Sequence, residues 1–451
     1  MNVIVIVSDT VRLDHLGCYG NDWMQTPSLD KLAGESVVFD NCYTGSFPTL
    51  PHRAECFLGR HGFPFYGWRP LPKDWTTLAE VLTEGGYVTQ LIHDTPHLRS
   101  RDHHYDRGFT GHHWNRGQES DCEFTRANDT LDLGYSLDKD RYRDADQAVS
   151  WALQRLDHPG EMGHHTARTA MDVCNWLDNN HQADKFFLWV DMFDPHEPWT
   201  APEEYTRRYL ADDFGGEKVR HPDYNYTDYL TEEELRWSHA AYCGELTLVD
   251  KWIGFMLRKV QDLGLLDDTA IVFTSDHGFY LGEHGRIGKS GLRGDPWPMY
   301  EQIIKEPLLV RLPDGPRGVR KDQLIQPVDL RPTVLELCGV DDDSPIHGKS
   351  YAPILAGQDV RLREIAISAG MVKDREKPGG VRVTVTHEDG WSLIIGRSDH
   401  EPELYNLRED PQQQTNVYAD NKTTALEMAA MFRAALCFLG AEDDICAQWK
   451  L

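Results

Sequence analysis

The chain of 451 residues carries 73 acidic and 46 basic side chains, which gives a formal net charge of -27 at pH 7. The chain has no run of basic residues that could neutralise phosphates, so its negative charge argues against nucleic-acid binding. Every apolar stretch is shorter than the roughly 20 residues that cross a bilayer, so we expect no membrane insertion. Nine scattered cysteines indicate reduced thiols, and the first strand begins directly after Met1. We therefore expect a cytoplasmic protein.

Predicted strands and helices alternate over the first half of the chain. An apolar strand at 3–8 opens the chain, and the polar, weakly periodic segment 98–160 is predicted to be a long insertion. A helix over 166–179 leads to a continuous apolar strand at 186–191. A second irregular insertion is predicted over 198–231.

The second half continues this alternation and then changes character near residue 345. Its predicted elements are a helix at 232–260, strands at 270–275 and 307–311, a helix at 329–338, a hairpin of strands 381–385 and 391–395, and a helix at 423–439. Alternation of this kind favours an α/β architecture with a mostly parallel sheet between helices. We expect an α/β domain at 1–344 and a small C-terminal α+β subdomain at 345–451.

Three of the predicted strands run directly into acidic residues and histidines. The residues that follow them are Asp9, then Asp191, Asp194 and His196, and finally Asp276 and His277. Ligands of parallel sheets bind beyond the carboxyl ends of the strands. Carboxylates and imidazoles at three such ends therefore predict one shared metal site.

Four motifs in a fixed order resemble the sulfatase-like branch of the alkaline phosphatase superfamily, which includes sulfatases, phosphonate monoester hydrolases and phosphodiesterases. They are the opening segment 2–12, the segment 194–198 around His196, the loop 274–278 followed by Lys289, and the C-terminal segment 404–407. The resemblance runs nearly from end to end. It implies a large mixed, mostly parallel sheet sandwiched by helices, and a C-terminal subdomain that contains an antiparallel sheet.

The nucleophile segment departs from the sulfatase pattern at one position. Sulfatases carry Cys-x-Pro-x-Arg, whose cysteine is oxidised to formylglycine, and this chain has Thr49-Leu50-Pro51-His52-Arg53. Threonine is the nucleophile in related phosphodiesterases and phosphoethanolamine transferases. A formylglycine hydrate expels sulfate by collapsing to the aldehyde, which a threonine ester cannot do. Thr49 therefore favours attack at phosphorus, although it can also be read as a helix N-cap.

A second departure lies after the third predicted strand. Sulfatases usually have Gly-Lys-Trp-His there, with a lysine that contacts the sulfate. The matching stretch here is His93-Asp94-Thr95-Pro96-His97, so the lysine is absent and Asp94 stands near its place. This difference also weighs against sulfate hydrolysis.

By the resemblance, Asp9, Asp276 and His277 bind one divalent cation, with the Thr49 hydroxyl as the fourth ligand. A mixed oxygen and nitrogen set favours Zn²⁺ or Mn²⁺ over Ca²⁺, which prefers oxygen alone. A second metal is left open, and its candidate ligands are Asp194, His196 and His284.

The remaining catalytic candidates are cationic or titratable side chains. Arg53 lies one turn after Thr49 and suits an oxyanion, while His196 and Lys289 can stabilise charge or protonate a leaving oxygen. His284 is a further candidate. Lys289 lies in a glycine-flanked loop, where an exposed lysine is the ordinary alternative. The histidine pairs at 103–104 and 164–165 are predicted to lie on the surface.

These residues predict a metal-dependent hydrolase of phosphate diesters or phosphonate monoesters that forms a covalent phospho-threonine at Thr49. The alternatives are a sulfatase without formylglycine, a phosphotransferase, and a catalytically silent metal-binding protein. We expect a small-molecule ester as the substrate, and subunit contacts through the insertions if the protein forms a homo-oligomer.

Overall fold

The computed structural model describes residues 1–99, 102–119, 121, 123, 139, 158–211, 213–289, 297–370, 381–396, 400–447 and 449. The strands, in chain order, are β1 (Asn2–Ser8), β2 (Val37–Tyr43), β3 (Val88–His93), β4 (Gly111–Trp114), β5 (Phe186–Met192), β6 (Asn225–Tyr226), β7 (Thr269–Thr274), β8 (Tyr280–Leu281), β9 (Arg286–Gly288), β10 (Lys305–Arg311), β11 (Val319–Lys321), β12 (Ile365–Ala369), β13 (Val383–His387), β14 (Trp391–Ile395) and β15 (Glu403–Asn406). The helices are α1 (Pro27–Gly34), α2 (Thr49–Leu58), α3 (Leu78–Glu84), α4 (His165–Asn180), α5 (Glu203–Thr206), α6 (Glu232–Asp262), α7 (Glu301–Ile304), α8 (Leu330–Cys338), α9 (Ala352–Leu355), α10 (Lys422–Phe438) and α11 (Asp443–Cys446).

A large sheet forms the centre of the molecule, with the strand order β11-β2-β10-β7-β1-β5-β3-β4. Its pairs are parallel except for β10, which runs antiparallel to both neighbours. Strands β12 to β15 form a separate antiparallel sheet near the C-terminus. The predicted architecture, a mostly parallel sheet with a small antiparallel one, is confirmed.

Both faces of the large sheet are buried, as its continuous apolar strands predict. Side chains of β1 alternate between two cores: Ile4 and Ile6 join one, and Val3 and Val5 join the other. Helices α1, α4 and α6 cover the first face, and α2, α3 and α8 cover the second. The carboxyl ends of the central strands therefore lie between two layers of helices.

The two predicted insertions contain regular structure where the structure describes them. Within 98–160, β4 extends the large sheet beside β3. Residues 100, 101, 120, 122, 124–138 and 140–157 lie outside the described ranges. The segment 198–231 contributes α5 and β6. In the described part of the chain, no helix is both long and apolar enough to span a membrane.

Candidate active site

Three predicted metal ligands meet at the carboxyl ends of β1 and β7, which are neighbours in the sheet. The ligand atoms of Asp9, Asp276 and His277 lie within 4.8 Å of one another, and none of the three residues is exposed. His277 Nε2 is 3.8 Å from Asp9 Oδ1 and 3.5 Å from Asp276 Oδ2. Among the described residues, neither Asp9 Oδ2 nor His277 Nε2 has a hydrogen-bond partner. A divalent cation would satisfy both atoms, so these residues fit the predicted metal.

The loop after β1 fixes the orientation of both carboxylates. Thr10 has a φ of 65°, which turns its main chain towards β7. Its N–H donates to Asp276 Oδ1 at 3.0 Å, and its hydroxyl donates to Asp9 Oδ1 at 2.7 Å. The Ser275 hydroxyl donates to the Ser8 carbonyl at 2.8 Å and ties the two strand ends together. The carboxylates are thus held in place by their own loops.

Arg53 bridges the carboxylates and has no exposed surface. Its Nε and Nη2 donate to Asp191 at 3.1 and 3.0 Å, while Nη1 donates to Asp276 and lies 3.3 Å from Asp9 Oδ2. Burial opposes the charged guanidinium, yet the carboxylates of Asp191, Asp276 and Asp9 raise the pKa of Arg53 well above its usual value. Asp191 thus contributes to the site through Arg53 rather than as part of the metal-ligand group.

Thr49 is the first residue of α2 and is only 2 % exposed. The N-cap of α2 is Pro48, and no side chain caps this end, so the N-cap role considered for Thr49 is not observed. Two residues earlier, the Phe47 ring lies 4.7 Å from the His277 ring. One turn later, Arg53 contacts the metal-ligand carboxylates. Thr49 therefore stands in the chain between two residues that contact the ligand group, at the N-terminus of a helix, where a bound anion is favoured.

Lys289 is buried, contrary to the ordinary expectation for a lysine between glycines. Its Nζ is 3.5 Å from Thr10 Oγ1, so its charge faces the ligand group. Burial, with Lys289 as the next cause, lowers the pKa of His277 to about 3. The same two causes hold the pKa of His196 well below its usual value. Lys289 and His196 thus belong to the same electrostatic environment as the metal ligands.

His196 and His284 are oriented by neighbouring aromatic rings. The His196 imidazole stacks on Phe193 at a centroid distance of 3.9 Å, and its Nδ1 contacts the Glu197 carbonyl. The His284 imidazole stacks on Tyr300 at 3.8 Å. Because His196 and His284 contact different partners, the structure does not group them with Asp194 as one second metal site.

Asp194 instead belongs to a buried cluster behind the loop that follows β5. It accepts from Gln118 Nε2 at 2.8 Å and from the Thr166 hydroxyl, and its Oδ2 is 3.5 Å from His164 Nδ1. His164 Nε2 lies 3.0 Å from Glu245 Oε1. These contacts correct the prediction that the histidine pair at 164–165 is exposed, since both side chains are buried.

Asp94, which stands near the place of the sulfatase lysine, is a buried structural acid. Its carboxylate accepts from the Phe193 N–H at 2.6 Å and from the Thr169 hydroxyl at 2.8 Å. Burial, and next the carboxylate of Asp194, raise the pKa of Asp94. Asp94 therefore holds the loop that leads to His196.

The Sulfatase family model matches residues 1–340, and the C-terminal model of N-sulphoglucosamine sulphohydrolase matches residues 288–436. The chain belongs to the sulfatase family. This family lies within the alkaline phosphatase superfamily, so the resemblance drawn from the motifs is confirmed.

Named relatives of this sulfatase-family chain are ester hydrolases. It is 24 % identical to an N-acetylglucosamine-6-O-sulfatase of Bacteroides thetaiotaomicron over 92 % of its own length and 82 % of the relative's. It is 25 % identical to an arylsulfatase of Clostridium perfringens over 92 % and 90 %. A phosphonate monoester hydrolase of Agrobacterium radiobacter shares the fold, with a TM-score of 0.74, 22 % identity and coverage of 97 % and 95 %. The enzyme class predicted from the sequence, an ester hydrolase, is confirmed.

Proposed function

We propose that this sulfatase-family protein hydrolyses a phosphate diester or a phosphonate monoester, with Thr49 as the nucleophile. The observation that carries the proposal is a buried threonine at the N-terminus of α2, between two residues that contact the metal-ligand group. An alcohol nucleophile suits phosphorus, because a phospho-threonine can be cleared by attack of water at phosphorus.

In the proposed reaction, Thr49 Oγ forms a bond to phosphorus while the bond from phosphorus to the leaving alcohol oxygen breaks. Asp9, Asp276 and His277 would hold the divalent cation, which would supply positive charge and favour the ionised form of the hydroxyl. Lys289, whose Nζ lies 3.5 Å from Thr10 Oγ1, adds positive charge beside the ligand group. The lowered pKa of His196 keeps its imidazole neutral, so this ring can take up the proton that the Thr49 hydroxyl loses and pass it to the leaving oxygen. Water then attacks phosphorus and releases Thr49.

Sulfate ester hydrolysis is the second candidate. It is favoured by the relatives, which are named as sulfatases more often than as phosphonate hydrolases. Similarity alone therefore supports a sulfate ester better than a phosphorus ester. We place phosphorus first because Thr49 occupies the position of the formylglycine cysteine.

The deciding experiment compares an aryl phosphodiester, an aryl phosphonate monoester and an aryl sulfate with one Zn²⁺- or Mn²⁺-loaded preparation. Acid quenching followed by peptide mass mapping should find a phosphoryl or phosphonyl adduct on the peptide that carries Thr49. Preferred turnover of the aryl sulfate, with no such adduct, would instead establish the second candidate.

Thr49 itself is tested by substitution. We expect Thr49→Ala to lower kcat roughly a thousandfold or more, because the attacking oxygen is removed. Thr49→Ser keeps the hydroxyl and should retain most of the activity. Equal turnover by Thr49→Ala and the unmodified protein would show that Thr49 is not the nucleophile.

A further inference from the structure

A second group of metal-ligand side chains lies near the first, between the loop after β1 and helix α6. His15 comes from the loop, while His239 and Cys243 lie four residues apart on one face of α6. The two Nε2 atoms of His15 and His239 are 3.1 Å apart, and Cys243 Sγ is 3.9 Å from His239 Nε2. The three ligand atoms converge within 4.8 Å.

The neighbouring carboxylate sets the tautomer of His15. Its Nδ1 lies 2.9 Å from Asp14 Oδ1, so Nδ1 carries the proton and donates it to the carboxylate. The Nε2 lone pair of the neutral ring is then directed at His239. A histidine that donates one nitrogen to a carboxylate and offers the other to an ion is the usual arrangement at metal centres.

The alternative to a metal site is a simple hydrogen bond from His239 Nε2 to His15 Nε2. It explains the nitrogen distance but gives no role to the thiol, which lies against the same nitrogen with no exposed surface. Two nitrogens of a tetrahedral zinc ion, each bound at about 2.0–2.1 Å, lie about 3.4 Å apart. The observed separation of 3.1 Å between the two imidazoles is close to that value.

We propose that His15, His239 and Cys243 bind a zinc ion that is distinct from the catalytic cation, with a water molecule as the fourth ligand. Two imidazoles and a thiolate suit Zn²⁺, whereas the group of Asp9, Asp276 and His277 offers only oxygen and nitrogen. Asp14 orients the first imidazole, and the loop and the helix together supply the ligands.

The position of this zinc site gives it a defined role. Tyr242, on the same turn of α6, accepts from the Arg12 N–H at 2.8 Å and donates to the Thr10 carbonyl at 2.9 Å. The zinc ion would fasten this loop to α6 at a second point, three residues beyond Arg12. It would thereby stabilise the loop that positions Asp9 and Thr10 for the catalytic cation.

Cobalt substitution tests the site without reference to activity. The Co²⁺-loaded protein should show thiolate-to-cobalt charge-transfer absorption in the near ultraviolet, which the catalytic group cannot produce because it has no thiolate. Cys243→Ala should abolish this absorption. Cys174→Ala, which removes another buried helical cysteine, should retain it. Absence of the band in the unmodified protein, or its survival in Cys243→Ala, would overturn the proposal.

Zinc-dependent stability provides a second test in a chain whose catalytic site is disabled. In Asp276→Asn, added Zn²⁺ should still raise Tm through the proposed site. The additional substitution His239→Gln, at a half-buried position, should remove most of that increase. No zinc effect on Asp276→Asn, or an equal effect on the double variant, would contradict zinc binding by His15, His239 and Cys243.

Discussion

The ion pairs of Arg53 occupy the donors that the predicted oxyanion contact would need. Its guanidinium contacts Asp191, Asp276 and Asp9, so the arginine predicted to grip an oxyanion is already bound to carboxylates. A buried ion pair is strongly destabilised when one partner is removed, since the charges left behind remain away from water. The primary role of Arg53 in this structure is therefore to neutralise the acids beneath the metal-ligand group.

We expect Arg53→Met to lower the free energy of unfolding by about 3–5 kcal/mol, because it leaves buried carboxylates without their cation. Urea unfolding in the presence of a chelator measures the change. Arg207→Met, which removes the exposed ion pair between Arg207 and Glu203, should cost less than about 1 kcal/mol. Similar losses in both variants would contradict this role for Arg53.

At the scale of single residues, the sequence predicted those ligands that directly follow an apolar strand. Asp9 and Asp276 come after continuous apolar runs, and the geometry of parallel strands places such residues at one edge. Local sequence patterns do not predict the contact between Arg53 and Asp191, or that between His15 and His239. These contacts depend on which helix packs on which face of the sheet, and neither partner carries a local signal of the other.

Helix α6 connects several parts of the molecule through buried polar groups. One of these is Asp250, which is 2 % exposed and accepts from the N–H groups of Ser28 and Leu29 in the first turn of α1. Burial raises the pKa of Asp250 to about 6 despite these hydrogen bonds. Its ionised form is therefore less favourable in the folded protein than in the unfolded chain.

This shift gives a defined pH dependence of stability. Because the folded state holds the Asp250 proton up to a higher pH than the unfolded state, its contribution to the free energy of unfolding falls between about pH 4 and 6. The total change is about 3 kcal/mol for a shift of this size. Asp250→Asn should flatten the profile in that window. Asp262→Asn, at an exposed position on the same helix, should leave the profile unchanged; a flattened profile there would contradict the assignment.

At the scale of elements, strands and long helices were predicted closely, and irregular segments were not. The predicted helix 232–260 is observed as Glu232–Asp262, and the strand 186–191 as Phe186–Met192. Strand β4 was missed inside the segment 98–160, because GHHW lacks the apolar or alternating pattern of a strand. It is defined by pairing with β3, which no local pattern reveals.

At the scale of the whole molecule, hydrogen bonds join the C-terminal sheet to the segment that follows β2. The Phe47 N–H donates to the Ala369 carbonyl at 3.0 Å, and the Ala369 N–H donates to the Gly45 carbonyl at 2.8 Å. The Ser368 hydroxyl also donates to the Thr44 carbonyl at 2.6 Å. Strand β12 of the C-terminal sheet thus fixes the segment that immediately precedes Thr49. The proposed boundary at residue 344 stays a prediction, although the two parts share this contact.

Helix α10 packs in one core with the C-terminal sheet and with Phe63. Phe432 is fully buried, and its ring stacks on Phe63 at a centroid distance of 6.4 Å. We expect Phe432→Ala to lower the free energy of unfolding by about 3–5 kcal/mol through the cavity it leaves.

Thermal and urea unfolding measure this effect, and the same helix supplies the control. Phe438 is 89 % exposed at the last residue of α10, so Phe438→Ala should change stability by less than about 0.5 kcal/mol. Equal stability of the two variants would show that α10 does not support the catalytic part of the chain.

The pairing of Gly45 and Phe47 with Ala369 also has a consequence for biosynthesis. Thr49 is synthesised early, whereas β12, which fixes the segment before Thr49, is complete only after residues 365–369 have been translated. The nascent polypeptide must therefore carry an incomplete nucleophile segment through most of translation. Polypeptides truncated before β12 would lack the strand that fixes this segment. They would therefore be exposed to proteases and chaperones with an incomplete active site.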